Sequence, residues 1–564
     1  MINRISDLIA ATQAASNMSP NALMGHLRRR LRNKLVPRRA AAYRADLACL
    51  AYRFPAFKRN AAAVDLARMV AGFYLAEYKT TIPGCFEGRF DILNAQFDFG
   101  DGPIDWRFEG DEGDRQIRRA NLAQFGFVAA AMLCDPRRTL AMVDRLVPDF
   151  LSSADFAQGQ DFSELWHPYI ASRRVLALTA AALLMPPELD ATRAARRLRS
   201  FARLNAAFVL GNLETELGFN HLERNLAALG LFGLARKTFP SRIAAALRAQ
   251  HNAVVLHSIG DDGVQKERSA MYQGLTVQSL RIFAALPVWD ASQREAIDGR
   301  LAAAERALAA LTLGDDQPVL FNDGWLGEAP AGSDIVGSTR LGFTVMPHAG
   351  YVRLADKNWA AVFDAGAIGP DENPGHGHPD FLSVEASFGP HRLLVDPGTF
   401  SYSAGSIRDD LRAWTAHNGP CFVGPRPVTF LGSFKVGKRS AAEIVAAGEA
   451  GGVQATTGRL AFDRHELSRT VRLLPDGRME IADEWTGEGQ AQTRFLVPAE
   501  WQIERRGKTL TFRRDGIGVR LGIEGARVEI GKAKWSRYYD VLEEAHEILL
   551  RPEAARAVST FRPL

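Results

Sequence analysis

The chain of 564 residues is 47% apolar, 24% charged and 9% aromatic, which excludes wholesale disorder and is long for a single packed core. Its net charge of +5 is uneven: twelve Arg/Lys against two Asp put +10 in residues 1–60 and leave −5 for the other 504. Four dispersed cysteines (Cys49, Cys85, Cys134, Cys421) form no close pair, which excludes a disulfide framework and a thiolate zinc site.

In chain order, residues 1–13 lack the uninterrupted apolar stretch of a secretory signal. The longest apolar runs, 125–134 and 175–185, fall short of the roughly 18 residues a membrane span needs. No membrane span is expected, and the sequence alone reads as cytoplasmic. Residues 28–39 are strongly basic and could meet a polyanion, but they could equally be a solvated helix face and surface strap. No aromatic interleaving accompanies them, so a nucleic-acid partner is not expected.

From about 115 to 315 the chain is rich in Ala, Leu and Arg at helical spacing. Leu222, Leu226 and Leu229 recur at i, i+4 and i+7, with Glu223 and Arg224 on another face. Further helices are predicted over 170–184, 192–213, 241–257, 272–286 and 292–311. Turns such as Met185-Pro-Pro and Ile259-Gly-Asp-Asp-Gly separate them. Such a series gives a bundle or a toroid of helical hairpins.

A Gly-, Asp- and Ala-rich join follows at 322–337. Beyond about 340, short alternating runs take over: Leu382, Val384, Ala386 and Phe388 alternate with Ser383, Glu385 and Ser387, as in a half-buried strand. Gly389-Pro-His turns this run into 392–396, a predicted hairpin. Similar runs at 469–473, 479–482 and 509–512 give a β-sandwich. The expected architecture is α+β and multidomain, with a helical domain over 1–330 and a β-sandwich over 331–564.

The richest polar constellation is Asn373-Pro-Gly-His376-Gly-His378-Pro-Asp380. His378, Asp396 on the returning strand and His417 make an N/N/O set suited to zinc, although loop His and Asp are also common as hydrogen-bonded turn residues. A second cluster, Asn220-His221-Leu222-Glu223-Arg224, opens a helix. Asn220 could be only its cap, or the four polar groups could hold an acidic sugar. A third cluster, Glu267, Ser269 and Tyr272, leads into the next helix.

These residues carry a resemblance to the heparinase II/III family of polysaccharide lyases. His376-Gly-His378-Pro-Asp380-Phe-Leu-Ser383-Val-Glu385, continued by Leu394-Val-Asp396-Pro-Gly-Thr-Phe-Ser-Tyr402, resembles the family's signature block nearly residue for residue. Arg412 with Ala416-His417-Asn418, Asn220-His221-x-Glu223, and Glu267-x-Ser269-x-x-Tyr272 resemble further motifs in the family's order. Asn94–Gly100 and 104–107 resemble the toroid entry. The sequence departs from the family at Gln273, where a His is usual, at Pro379 and Trp414, and in the Gly-Pro pair after Asn418.

The resemblance implies an incomplete (α/α) toroid followed by a layered antiparallel β-sandwich. It also implies β-elimination on a uronic-acid polysaccharide, whether heparan-like, alginate-like or a bacterial exopolysaccharide. Asn220, with His221, would stabilise the uronate carboxylate; Tyr272 and His376 would act as base and acid. Glu223, Arg224, Glu267 and Arg412 would contact substrate, and His378, Asp396 and His417 would hold a structural Zn2+. The resemblance also allows a periplasmic location. Two other readings are a glycoside hydrolase using Glu223 and Glu267, and a non-catalytic acidic-polysaccharide-binding or assembly protein.

Overall fold

The computed structural model describes residues 20–108, 114–162, 164–337 and 342–564; residues 1–13, read above for a signal, lie outside them. From Pro20 to Ala310 the chain is helical, interrupted by a short hairpin of Arg89–Ile92 and Ala95–Asp98. The Pro168–Leu184 helix is the hub, packing against helices Ala61–Glu77, Gly126–Cys134, Arg193–Gly211 and Phe219–Leu234. Residues 170–183 are buried on every face, the placement that an Ala/Leu/Val-rich helix without a polar stripe requires.

The predicted helices are present with small shifts. The one expected over 241–257 ends its α-helical hydrogen bonding at His251 and continues as a wider π turn, Asn252–His257. Among the described residues, no helix is long and apolar enough to cross a membrane.

The second half is antiparallel throughout. A five-stranded meander runs from Thr344 to Leu394, and eight-stranded and four-stranded sheets complete the layers. The chain is thus a helical toroid followed by a β-sandwich. The two halves are stitched by a shared apolar cluster that includes Val264, Leu311, Phe321, Tyr351 and Val362.

Two expectations change. The strand predicted from Leu382 begins at Val384, because Leu382 takes a left-handed φ of 59°. Nor is that strand half-buried: Val384–Phe388 is covered on both faces. Its polar side meets the segment that joins the domains, where Glu385 pairs with Arg392 at 3.1 Å and accepts the Leu320 N–H. Alternation here separates an apolar core from a buried polar seam, not core from water.

The basic segment is only partly a solvated face. Helix Pro20–Leu35 turns Arg29 and Arg32 onto the toroid, to Glu214 (3.0 Å) and Asn212 (2.7 Å), and leaves Arg28, Arg30 and Lys34 outside.

Candidate functional site

A cleft of about 700 Å³ opens between the toroid and the loops of the β-domain, and Asn220, His221, Tyr272 and His376 all line it. Residues from three distant parts of the chain therefore meet at one place.

Asn220 and His221 are delivered by a tight turn. Gly218 adopts φ +64°, ψ −152°, a region open essentially to glycine, and Phe219 follows at φ +41°. The Phe219–Leu234 helix has no side-chain cap, so Asn220 is not its cap residue. Its backbone N–H donates to Glu267 Oε2 (3.2 Å), while its side-chain oxygen is buried without a partner. His221 Nδ1 lies 3.1 Å from Glu214 Oε1. Burial alone would lower the pKa of this imidazole, but the Glu214 carboxylate outweighs it and the pKa is raised.

The third motif has a local explanation. Ser269 caps the Ala270–Ala284 helix by accepting the Tyr272 N–H, which places Tyr272 in the first turn. Its Oη is 2.9 Å from Tyr402 Oη, and its ring meets the His376 ring edge-to-face at 5.0 Å. Burial, with Tyr169 nearby, pushes the phenol well above its ordinary pKa, so it is protonated at rest. Gln273, the departure from the family, turns inward: it accepts the Gln265 N–H and donates to Gly263 and Ala304.

Asp323 organises the β-domain side. It lies 2.9 Å from His376 Nδ1 through one oxygen and 2.9 Å from His378 Nε2 through the other, and Arg408 clamps both. Burial would raise this carboxyl, but Arg408 and the two imidazoles outweigh it and hold it well below the usual range. With both imidazoles donating to Asp323, the free lone pair of His376 is left on Nε2, 3.9 Å from Glu267 Oε1, and that of His378 on the buried Nδ1. Gly377 between them is sterically required, since a Cβ there would strike the Ile368 carbonyl.

Behind that wall, one donor atom each of His378, Asp396 and His417 lies within 4.8 Å of the others. His378 Nδ1, His417 Nε2 and Asp380 Oδ1 are buried without partners. Burial pushes both imidazoles down, to about 3 and about 4, so they are neutral, the ligating form. Asp380 and Asp396 are pushed well above the carboxylate range by burial and by Asp364. Among the described residues, no Lys or Arg forms an ion pair with either. Two neutral imidazoles beside uncompensated carboxylates meet the donor requirements of zinc. A second trio, His167, Glu214 and His221, is as compact, but Arg29 already supplies its positive charge.

None of the four side chains expected to contact substrate is brought into the cleft lining. Glu223 is buried and accepts from Thr276; Arg224 donates to Gln278 and to the Leu275 carbonyl. Glu267 sits beneath Asn220 and accepts from Gln265 (2.6 Å). Arg412 donates to the carbonyls of Gly375, Gly377 and Ser433 and stacks on Phe430, bracing the histidine loop from outside. Each long polar side chain faces inward because the motif's own backbone and neighbours take its hydrogen bonds.

Sequence reasoning missed Asp323, Trp325 and Glu328, all in the stretch read only as a join, and Glu214, Tyr169 and Arg173. Arg173 lines the cleft floor and pairs with Glu77 and Glu328. The Asn322-Asp-Gly-Trp run was visible, but its composition is that of a linker.

Residues 339–560 match the family described as "Heparinase II/III-like, C-terminal". Among solved structures, heparinase III superposes with a TM-score of 0.66 at 14% identity, covering 90% of this chain and 86% of that one. The heparan sulfate lyase HepC from Pedobacter heparinus superposes at 0.54 and 16% identity, covering 86% and 82%. At these identities the likeness is one of fold. No curated protein sequence matches the chain.

Proposed function

We propose, from the match of residues 339–560 to the family described as "Heparinase II/III-like, C-terminal" and from the shared fold, that this protein is a lyase cleaving a uronic-acid polysaccharide by β-elimination. The observation that carries the reading is the convergence of Asn220, His221, Tyr272 and His376 on one cleft. In the reaction the C5–H and C4–O bonds break, a C4–C5 double bond forms, and no water is consumed. His376, which lines the cleft, suits proton abstraction, since the bond from Nδ1 to Asp323 leaves the lone pair on Nε2. Tyr272, protonated at rest, suits donation to the departing O4, and can serve as base once its proton has moved. The Asn220 amide and a protonated His221 suit the carboxylate on which negative charge accumulates. The test is direct: incubation with a panel of uronic-acid polysaccharides should generate the ultraviolet absorbance of an unsaturated uronate.

The hydrolase reading needs two carboxylates facing one glycosidic bond. Glu223 and Glu267 are both buried behind the wall, which argues against it. A binding protein without turnover is separated by the same absorbance assay.

His221 gives a pH prediction. Its raised pKa keeps it cationic to higher pH, so carboxylate stabilisation is present below that pKa and lost as pH rises through it. In Glu214→Gln the burial effect remains while the carboxylate is gone. The basic limb of the kcat/KM profile should then move to lower pH, with the acidic limb unmoved. An unchanged basic limb would separate His221 from catalysis.

We further propose that His378, Asp396 and His417 hold a structural Zn2+, which would supply the positive charge that this acidic pocket lacks. Purified protein should then contain about one zinc per chain. Chelation should lower the melting temperature, and His417→Ala should abolish metal content. Full stability with no bound metal would contradict the assignment.

A further inference from the structure

The charge lining the cleft bears on which uronan can enter. Arg173 is the only Lys or Arg among the described lining residues. It is already held by Glu77 and Glu328, and Glu328 itself lines the cleft. Asp114, itself buried, adds another carboxylate to the lining and accepts from Ser401 (2.8 Å) and Ser403 (2.7 Å). The arginines of the histidine-loop wall are also engaged, Arg408 by Asp323 and Arg412 by backbone carbonyls.

A sulfated polymer carries several anions per disaccharide, and those that enter a cleft are favoured by cationic partners and disfavoured by carboxylates. This cleft offers acids in such positions instead. What it does offer is one place for a carboxylate, the Asn220 amide beside His221, and aromatic surface from Tyr169, Trp325, Tyr402 and Phe434. Aromatic rings pack against the apolar C–H faces of neutral sugars.

We infer that the substrate is a sparsely charged uronan, its uronate residues separated by neutral sugars and free of sulfate esters. The inference rests on the lyase reading above and narrows it.

The test compares the full chain on three substrate types at equal uronate concentration: an unsulfated alternating uronate–N-acetylhexosamine polymer, a homopolyuronate, and heparin or chondroitin sulfate. Unsaturated product is the readout. The unsulfated copolymer should exceed both others in kcat/KM by about tenfold or more. Asp114→Asn should narrow its lead over the sulfated polymer. A sulfated polymer or homopolyuronate cleaved as fast as the copolymer would overturn this inference and leave the lyase reading intact. Absence of unsaturated product from all three, with folded protein, would overturn the lyase reading itself and this inference with it.

Discussion

Tyr272→Phe is expected to reduce kcat on a cleaved uronan by about 10²–10⁴-fold while leaving KM within about threefold. The phenol is the acid best placed in the cleft: its Oη is 2.9 Å from Tyr402 Oη, and its ring lies against His376. Phenylalanine keeps the ring contacts and removes only the proton carrier. It also leaves the Tyr402 hydroxyl without this partner, at a cost of about 1–3 kcal/mol in a buried site. Tyr402→Phe therefore serves as the control, since it breaks the same hydrogen bond but retains the Tyr272 phenol. If the control loses as much activity as Tyr272→Phe, with both folded, the proton-transfer role belongs to the pair and not to Tyr272. If Tyr272→Phe retains full turnover, the assignment is wrong.

Asp323→Asn is expected to have the widest consequences of any single substitution. The carboxylate serves three partners at once: the His376 imidazole, the His378 imidazole and the Arg408 guanidinium. An amide cannot accept from all three, and its NH2 group would face donors. Arg408 would become a buried charge without its counterion, which costs about 3–5 kcal/mol in comparable cases. His376 would lose the hydrogen bond that fixes its tautomer and ring orientation, so kcat should fall by about 10³-fold or more. The two effects are separable. Arg408→Gln removes the ion pair but leaves both imidazole contacts, so it should lower the melting temperature with a smaller loss of kcat. Equal kcat losses in both variants would mean that Asp323 acts through stability alone.

Both predictions depend on residues whose visibility in the sequence differed sharply. Tyr272, His376 and the Asn220–His221 pair stand in compact motifs, and the backbone explains their compactness. Ser269 caps the helix that carries Tyr272, Gly218 makes the turn that carries Asn220, and Gly377 fits beneath a carbonyl. Such local requirements leave a spacing that can be read. The helices and strands were legible for the same reason, since a 3.6 or a 2.0 periodicity records one face against another.

Asp323 left no such trace, because its meaning comes from what the fold folds over it. The join threads beneath the histidine loop, with the Asn322 N–H bound by Asp380, the His378 N–H by Asn322, and the Asp323 N–H by the His376 carbonyl. Glu214 is similar: it meets Arg29 across 185 positions and becomes a partner of His221 only through packing. Glu223, Arg224, Glu267 and Arg412, expected at the substrate, lie off the cleft lining for the converse reason. A charged residue inside a motif was read as facing substrate, whereas these four hold the motif's backbone and neighbours in place.

The central claim is that this cleft breaks a glycosidic bond by elimination, and a defined unsulfated oligosaccharide with an internal uronate tests it most directly. The masses and ultraviolet spectra of its products distinguish the chemistries. Elimination predicts fragments whose masses sum to that of the substrate, with the new fragment absorbing as an unsaturated uronate. Fragments that together carry one added water and no new absorbance would contradict the account.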